Sequence, residues 1–178
     1  RIGLLIEAAM AFGTGHHGTT LGCLRAYDRL LGDAQRFDNV LDLGCGTAVL
    51  AMSAARMGAA SVLASDIDPV AVEVALANVK ANGLEGRVGC VESIGFGSPV
   101  VQAGAPFDLI FANILKGPLI ELAPDMAAHL ASGGLAILSG LLIEQAEEIV
   151  KVYQAQGFDL QTREDLGEWS ALTLRRHH

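Results

Sequence analysis

Short apolar runs alternate along this chain with longer segments whose apolar positions recur at helical spacing. The runs at 39–43, 61–66, 87–92, 107–113 and 135–139 carry the strand pattern. Several are nearly continuous in Val, Ile, Leu and Ala, as in strands covered on both faces. Between them the spacing predicts helices over 47–57, 69–82, 118–130 and 142–156. Pro69 and Pro118 fit first-turn positions, while Gly58, Gly83 and Gly157 fit helix ends. This alternation predicts an α/β fold, an open and mostly parallel sheet with helices on both faces. Near the C-terminus, 158–163 and 169–174 flank the turn-like Asp165-Leu166-Gly167 and predict an antiparallel pair closing one sheet edge. Near the N-terminus, 21–31 reads as a helix preceded by the loop FGTGHHGTT, and 93–106 reads as a flexible loop.

Composition narrows the picture. The 178 residues are 51% hydrophobic, 18% charged and 5% aromatic, so the core is expected to be aliphatic and large enough to need no disulfide or metal. A net charge of −8 excludes a domain whose affinity rests on neutralising phosphates, so no direct nucleic-acid binding is expected. The window 126–143 has no formal charge and approaches spanning length, but Ser132-Gly133-Gly134 interrupts it, so no membrane span is expected. RIGLLIEAAM lacks the zones of a secretory signal, and Cys23, Cys45 and Cys90 match neither a disulfide framework nor a zinc pattern. Together these point to a cytoplasmic setting. Arg1 in place of an initiator Met reads as a fragment, and His177-His178 as the start of a purification tag, excluded from any site.

The chemistry concentrates at strand ends. In VLDLGCGTA, Val40 to Ala48, an apolar strand runs into a glycine turn and then a helix; Gly44 and Gly46 allow a ligand to approach the backbone and the free N–H groups of the helix start. A nicotinamide fingerprint needs a glycine where Val49 stands, so the turn fits S-adenosylmethionine better. Asp66, 22 residues after Gly44 at the end of the second strand, can accept both hydroxyls of a ribose, whereas Asp68 beside Pro69 reads as a helix cap. Asn113 ends the fourth strand with an amide able to orient reacting groups; it is the candidate catalytic residue and a cofactor contact. Ile114-Leu115-Lys116 follows it, where amide and DNA-amine methylases have two prolines and an aromatic. The loop over 12–20 reads as a lid in which Phe12 shields the site and hydroxyls meet the cofactor. His16 and His17 are adjacent, point apart and have no acidic or Cys neighbour, so no metal site is expected.

AFGTGHHGTT, LDLGCGTAVLA, SDIDPVAV, FANILKGPLIELAP, GGLAILSGLL and GEW together resemble the bacterial methyltransferase family that modifies the eleventh protein of the large ribosomal subunit, ribosomal protein L-eleven. The resemblance extends from about Ala11 to Leu174. It implies a seven-stranded Rossmann-like methyltransferase sheet with an antiparallel C-terminal edge. It also implies methyl transfer from S-adenosylmethionine to lysine side-chain and N-terminal amines. By motif it carries cofactor contacts over to Thr20, Gly44, Asp66 and Asn113. The chain then divides into an N-terminal segment with lid loop over 1–20, a methyltransferase domain over 21–176 and the tag remnant.

Three departures from the family pattern stand out. Ala48 replaces a usual glycine, so its methyl is expected to narrow the cofactor approach; Gly18 replaces a Pro and His16 a Thr, which loosens the lid. Family members also carry a separate N-terminal domain that captures the ribosomal protein, for which this sequence has no counterpart. Glu168 and Trp169 are candidates to line an entrance for a cationic lysine, with packing of Trp169 on a helix as the other reading. A small-molecule or other protein acceptor, a non-catalytic cofactor-binding domain and a nicotinamide oxidoreductase remain as alternatives.

Overall fold

The structure is a computed structural model and describes residues 17–177. The first helix, α1 (His17–Gly32), starts at 17 rather than at 21. Gly18, Thr19 and Thr20 are weak helix formers, but tertiary contacts override that preference. The Ser139 hydroxyl donates to the Thr19 carbonyl (2.9 Å), and Gly18 lies close to the Trp169 ring. Farther along, the Arg25 guanidinium donates to both Glu164 carboxylate oxygens (2.6 and 3.1 Å) and Arg29 adds a third bond (3.2 Å), which clasps α1 to the sheet edge.

After α1 the chain runs through β1 (Asn39–Leu43), α2 (Val49–Arg56), β2 (Ser61–Asp66), α3 (Pro69–Ala81), β3 (Val88–Glu92), α4 (Pro99–Gly104) and β4 (Phe107–Asn113). It continues through α5 (Lys116–Glu121), α6 (Ala123–His129), β5 (Leu130–Leu142), a 3-10 turn (Ile143–Gln145), α7 (Ala146–Ala155), β6 (Phe158–Leu166) and β7 (Trp169–Arg176). The sheet order is β3-β2-β1-β4-β5-β7-β6, with β1 to β5 parallel and β7 antiparallel to both its neighbours. This is the seven-stranded, mostly parallel sheet with an antiparallel C-terminal edge that the alternation and the resemblance predict.

Both faces of the sheet are covered. Val40, Leu109 and Phe111 pack with residues of α1, α2 and α3, while Leu41, Leu43 and Ile110 pack with residues of α4 to α7. The alternation of faces along β1 is what a strand periodicity of two dictates. Aliphatic residues dominate, as composition predicts, but Tyr27, Phe107, Phe111, Tyr153 and Phe158 are fully buried among them. Tyr27 meets Phe111 edge-on at 5.4 Å between ring centroids, and the buried Tyr153 hydroxyl donates to the Leu119 carbonyl (2.7 Å).

Some elements differ from the sequence expectation. The helix expected over 118–130 breaks at Leu122 into α5 and α6, because Pro124 has no N–H for the helix ladder. The segment 93–106 is not an open loop: Ser98 caps α4 by accepting from the Val100 N–H (3.2 Å), and Phe96 and Val101 are buried. Strand β5 extends well beyond 135–139; its irregular start lies between the pairs Phe107↔Leu130 and Leu109↔Leu135, where Ser132-Gly133-Gly134 stands. Among the described residues no helix is long and apolar enough to cross a membrane.

Candidate active site

Strand order reverses between β1 and β4, and open parallel sheets bind ligands outside the carboxyl ends of their strands at such a reversal. A cavity of about 330 Å³ opens at this point. Thr20, Gly44, Gly46 and Asn113, four of the residues singled out from sequence, share its wall with Thr19 and Trp169. Asp66 adjoins the cavity through Gly46. Phe12 and the His16–His17 side chains lie outside the described residues.

The glycine turn is built by the ends of β1 and β2. Cys45 N–H donates to the Ser65 carbonyl (2.8 Å), prolonging the parallel ladder, and Ala48 N–H donates to the Cys45 carbonyl (2.8 Å), closing the turn. Gly44 has φ +70°, and a Cβ there would lie 2.5 Å from Ile114 Cγ2, so both conformation and space demand glycine. Gly46 N–H donates to Asp66 Oδ2 and Asp68 N–H donates to Asp66 Oδ1, both at 3.0 Å. The acid and the turn are thus one unit, and each carboxylate oxygen keeps a lone pair for a further donor. Asp68 takes its expected role, accepting from the Val70 N–H (2.9 Å) as the cap of α3.

Ala48 behaves differently from the expectation. It sits at φ +66°, the conformation in which a glycine is easiest, but its methyl is fully buried in the core on the α2 side and takes no part in the cavity wall. The substitution therefore strains the turn without narrowing the cavity.

Asp42 is a site residue that sequence reasoning misses. It is 1% exposed, lines the cavity, and accepts from the Ala51 N–H in the first turn of α2 (3.0 Å) through Oδ2. Its Oδ1 is buried with no hydrogen-bond partner among the described residues. Burial pushes its carboxyl up from 3.8 to about 8; the Ala51 N–H opposes this and nearby Asp66 adds to it. The available signal is one carboxylate inside the apolar run VLDLG. The buried Cys23 and Cys45 thiols are pushed upward by the same desolvation, which makes them poor nucleophiles at neutral pH.

On the opposite wall, Asn113 pairs in register with Ser139 of β5, and its amide donates to Thr20 Oγ1 at 3.4 Å. The start of α1 therefore lies over the tips of β4 and β5. Trp169 brings an aromatic ring to the rim, while Glu168 on the adjoining turn is exposed and its carbonyl accepts from Ile143 N–H (3.0 Å). Among the described residues no group of three His, Cys, Asp or Glu side chains gathers as metal ligands do.

The sheet order, the antiparallel edge and the acid-tied glycine turn at the reversal define the class, the seven-stranded methyltransferase fold. A family model described as "Ribosomal protein L11 methyltransferase (PrmA)" matches residues 1–177. The chain belongs to this family. It is 46% identical over 174 residues to a ribosomal protein L11 methyltransferase of Brucella melitensis, covering 98% of this chain and 61% of that protein. With one of Bradyrhizobium diazoefficiens it shares 49% over 171 residues, 96% of this chain and 58% of the relative. The chain thus spans about three fifths of the length of these curated relatives. The crystal structure of a ribosomal protein L11 methylase from Lactobacillus delbrueckii subsp. bulgaricus superposes with a TM-score of 0.82 at 29% identity, covering 92% of this chain and 80% of that one. A methyltransferase from Pyrococcus furiosus, 21% identical with a TM-score of 0.69 over 86% of this chain and 81% of its own, shares the fold.

Proposed function

We propose that the cavity holds S-adenosylmethionine and that the protein transfers methyl groups to lysine side-chain and N-terminal amines of ribosomal protein L11. The observation that carries this reading is the convergence of Thr20, Gly44, Gly46, Asn113 and the adjoining Asp66 on one crevice, in a chain of this family. The residues present fit the cofactor: a buried Asp42 oxygen has no hydrogen-bond partner among the described residues, and a Cβ at Gly46 would meet nothing within 4 Å, leaving the backbone open to a ligand. When bound, S-adenosylmethionine supplies a methyl group activated by a sulfonium.

The chain's own residues then do the rest. Asp66 accepts from the ribose hydroxyls, Gly46 leaves the backbone open to the cofactor with Gly44 lining the crevice beside it, Thr20 supplies a hydroxyl, and Asn113 orients the amine or the cofactor's methionyl end. Phe12, on the lid, would shield the site from water. A lysine titrates near 10.4, so presenting it neutral at pH 7 costs about 4.6 kcal/mol. Desolvation in the closed site reduces that cost, and fixed geometry replaces a bimolecular encounter, so no strong base and no metal are required. The net charge of −8 suits a basic substrate protein, and Trp169 with Glu168 would flank its path. A cytoplasmic protein acting without direct nucleic-acid contact fits the same chemistry. A nicotinamide cofactor could use the same turn and acid, but Val49, the first residue of α2, stands where its fingerprint needs a third glycine.

Mixing the chain with methyl-labelled S-adenosylmethionine and purified ribosomal protein L11 tests the proposal. Label on the ribosomal protein, located by mass spectrometry at lysine and N-terminal amines, is the expected result. Cofactor binding with no label, even at high acceptor concentration, would favour a domain that binds without catalysing. In the same assay Asn113→Ala is expected to lower the rate by about 100-fold, the scale of a lost positioning contact.

A further inference from the structure

Ile114 touches three strand tips at once. Its N–H donates to the Ser139 carbonyl (3.1 Å), which extends the pairing of β4 with β5 by one residue. Its main chain rests on Gly140, where φ is +87° and a Cβ would lie 2.5 Å from the Ile114 oxygen, 2.9 Å from its carbonyl carbon and 3.1 Å from its nitrogen. Those neighbours are backbone atoms and cannot swing away, so β5 keeps a glycine at this bulge, between the pairs Leu138↔Leu172 and Leu141↔Ser170. On the other side, Ile114 Cγ2 sits against Gly44, 2.5 Å from where a Cβ would be. Ile114, Gly44, Gly140 and Asn113 all line the cavity.

We infer that Ile114 is a positioning residue that fixes the separation between the glycine turn, which carries the cofactor, and Asn113, which orients the reacting groups. This rests on the methyltransferase reading above. The side chain spaces the donor wall, while the backbone, locked between Ser139 and Gly140, aims the acceptor wall. Neither bond to the cofactor nor bond to the amine is assigned to it. Its removal should therefore disturb alignment in the transition state more than binding of either reactant, and small misplacements of that kind cost orders of magnitude in rate.

The test compares Ile114→Ala, which loses the methyl against Gly44, with Ile114→Val, which keeps one there, in single-turnover transfer to ribosomal protein L11 at saturating cofactor. Ile114→Ala is expected to slow transfer on the order of 10- to 100-fold while S-adenosylmethionine affinity, measured by calorimetry, stays within about threefold. Ile114→Val is expected to restore most of the rate. An unchanged rate in Ile114→Ala overturns the inference. So does a fall of rate in step with cofactor affinity and melting temperature, unrelieved in Ile114→Val, because that pattern marks a merely structural contact. Should Ile114→Ala fail to fold, Ile114→Leu, which moves the branch away from Gly44, takes its place with the same expectations. A parent chain that binds the cofactor and transfers nothing removes the methyltransferase reading, and this inference with it.

Discussion

Asp66→Ala is expected to weaken S-adenosylmethionine binding on the order of 100-fold or more in calorimetry. The carboxylate stands at the end of β2, tied to Gly46 N–H and Asp68 N–H at 3.0 Å each, with lone pairs left for the ribose. Hydrogen bonds to a charged group are worth about 1.5–3 kcal/mol each, so losing two amounts to about 3 kcal/mol or more, and each 1.4 kcal/mol is tenfold in affinity. The substitution also releases the Gly46 N–H from its partner, which loosens the turn against which the cofactor lies. Asp68→Ala, which removes only the cap of α3, is expected to cost about 1 kcal/mol of stability and little affinity. Equal affinities in Asp66→Ala and the parent would show that the cofactor lies elsewhere.

Asp42→Asn is expected to raise the melting temperature at pH 8 by several degrees relative to the parent, with the difference shrinking toward pH 5. Burial lifts the folded-state value of this acid from 3.8 to about 8. The folded protein therefore holds a proton that the unfolded chain releases across that interval. Stability from the neutral acid is fully present below about 4 and is lost as pH rises to about 8. Asn mimics the neutral acid, still accepts from the Ala51 N–H and has nothing to lose with rising pH. Parallel melting profiles for the two proteins between pH 5 and 8 would contradict the assignment. A bound cation favours the ionised acid, so S-adenosylmethionine binding near pH 7 is also expected to release protons, readable by calorimetry in buffers of different ionisation heat.

Gly44, Gly46, Asp66 and Asn113 are legible in the sequence because each ends an apolar run with a residue type that a buried strand does not carry without cause. Asp42 breaks such a run as well, but with apolar neighbours on both sides it reads as strand interior until Ala51 is seen across the turn. Ser139, Gly140 and Ile114 are invisible for a different reason. Ile114 looks like any strand-end aliphatic residue, and its contacts join three strands through crossovers that no local periodicity encodes. The early start of α1 follows the same logic: Gly18 and Thr19 have weak local preference and are held by Trp169 and Ser139, far away in the chain. The break between α5 and α6, by contrast, was available in Pro124, outweighed by the helical spacing around it. Alternation by itself predicts a mostly parallel sheet with helices on both faces, but which strands become neighbours, and so the reversal between β1 and β4 that locates the site, depends on tertiary packing that no local pattern encodes.

A crystal structure of this chain with S-adenosylhomocysteine bound tests the placement of the site most directly. The account predicts the ribose hydroxyls on the Asp66 carboxylate, the homocysteine end against Gly44 and Gly46, and the sulfur facing Asn113. A ligand bound away from the reversal between β1 and β4, or one whose ribose leaves Asp66 uncontacted, would contradict it.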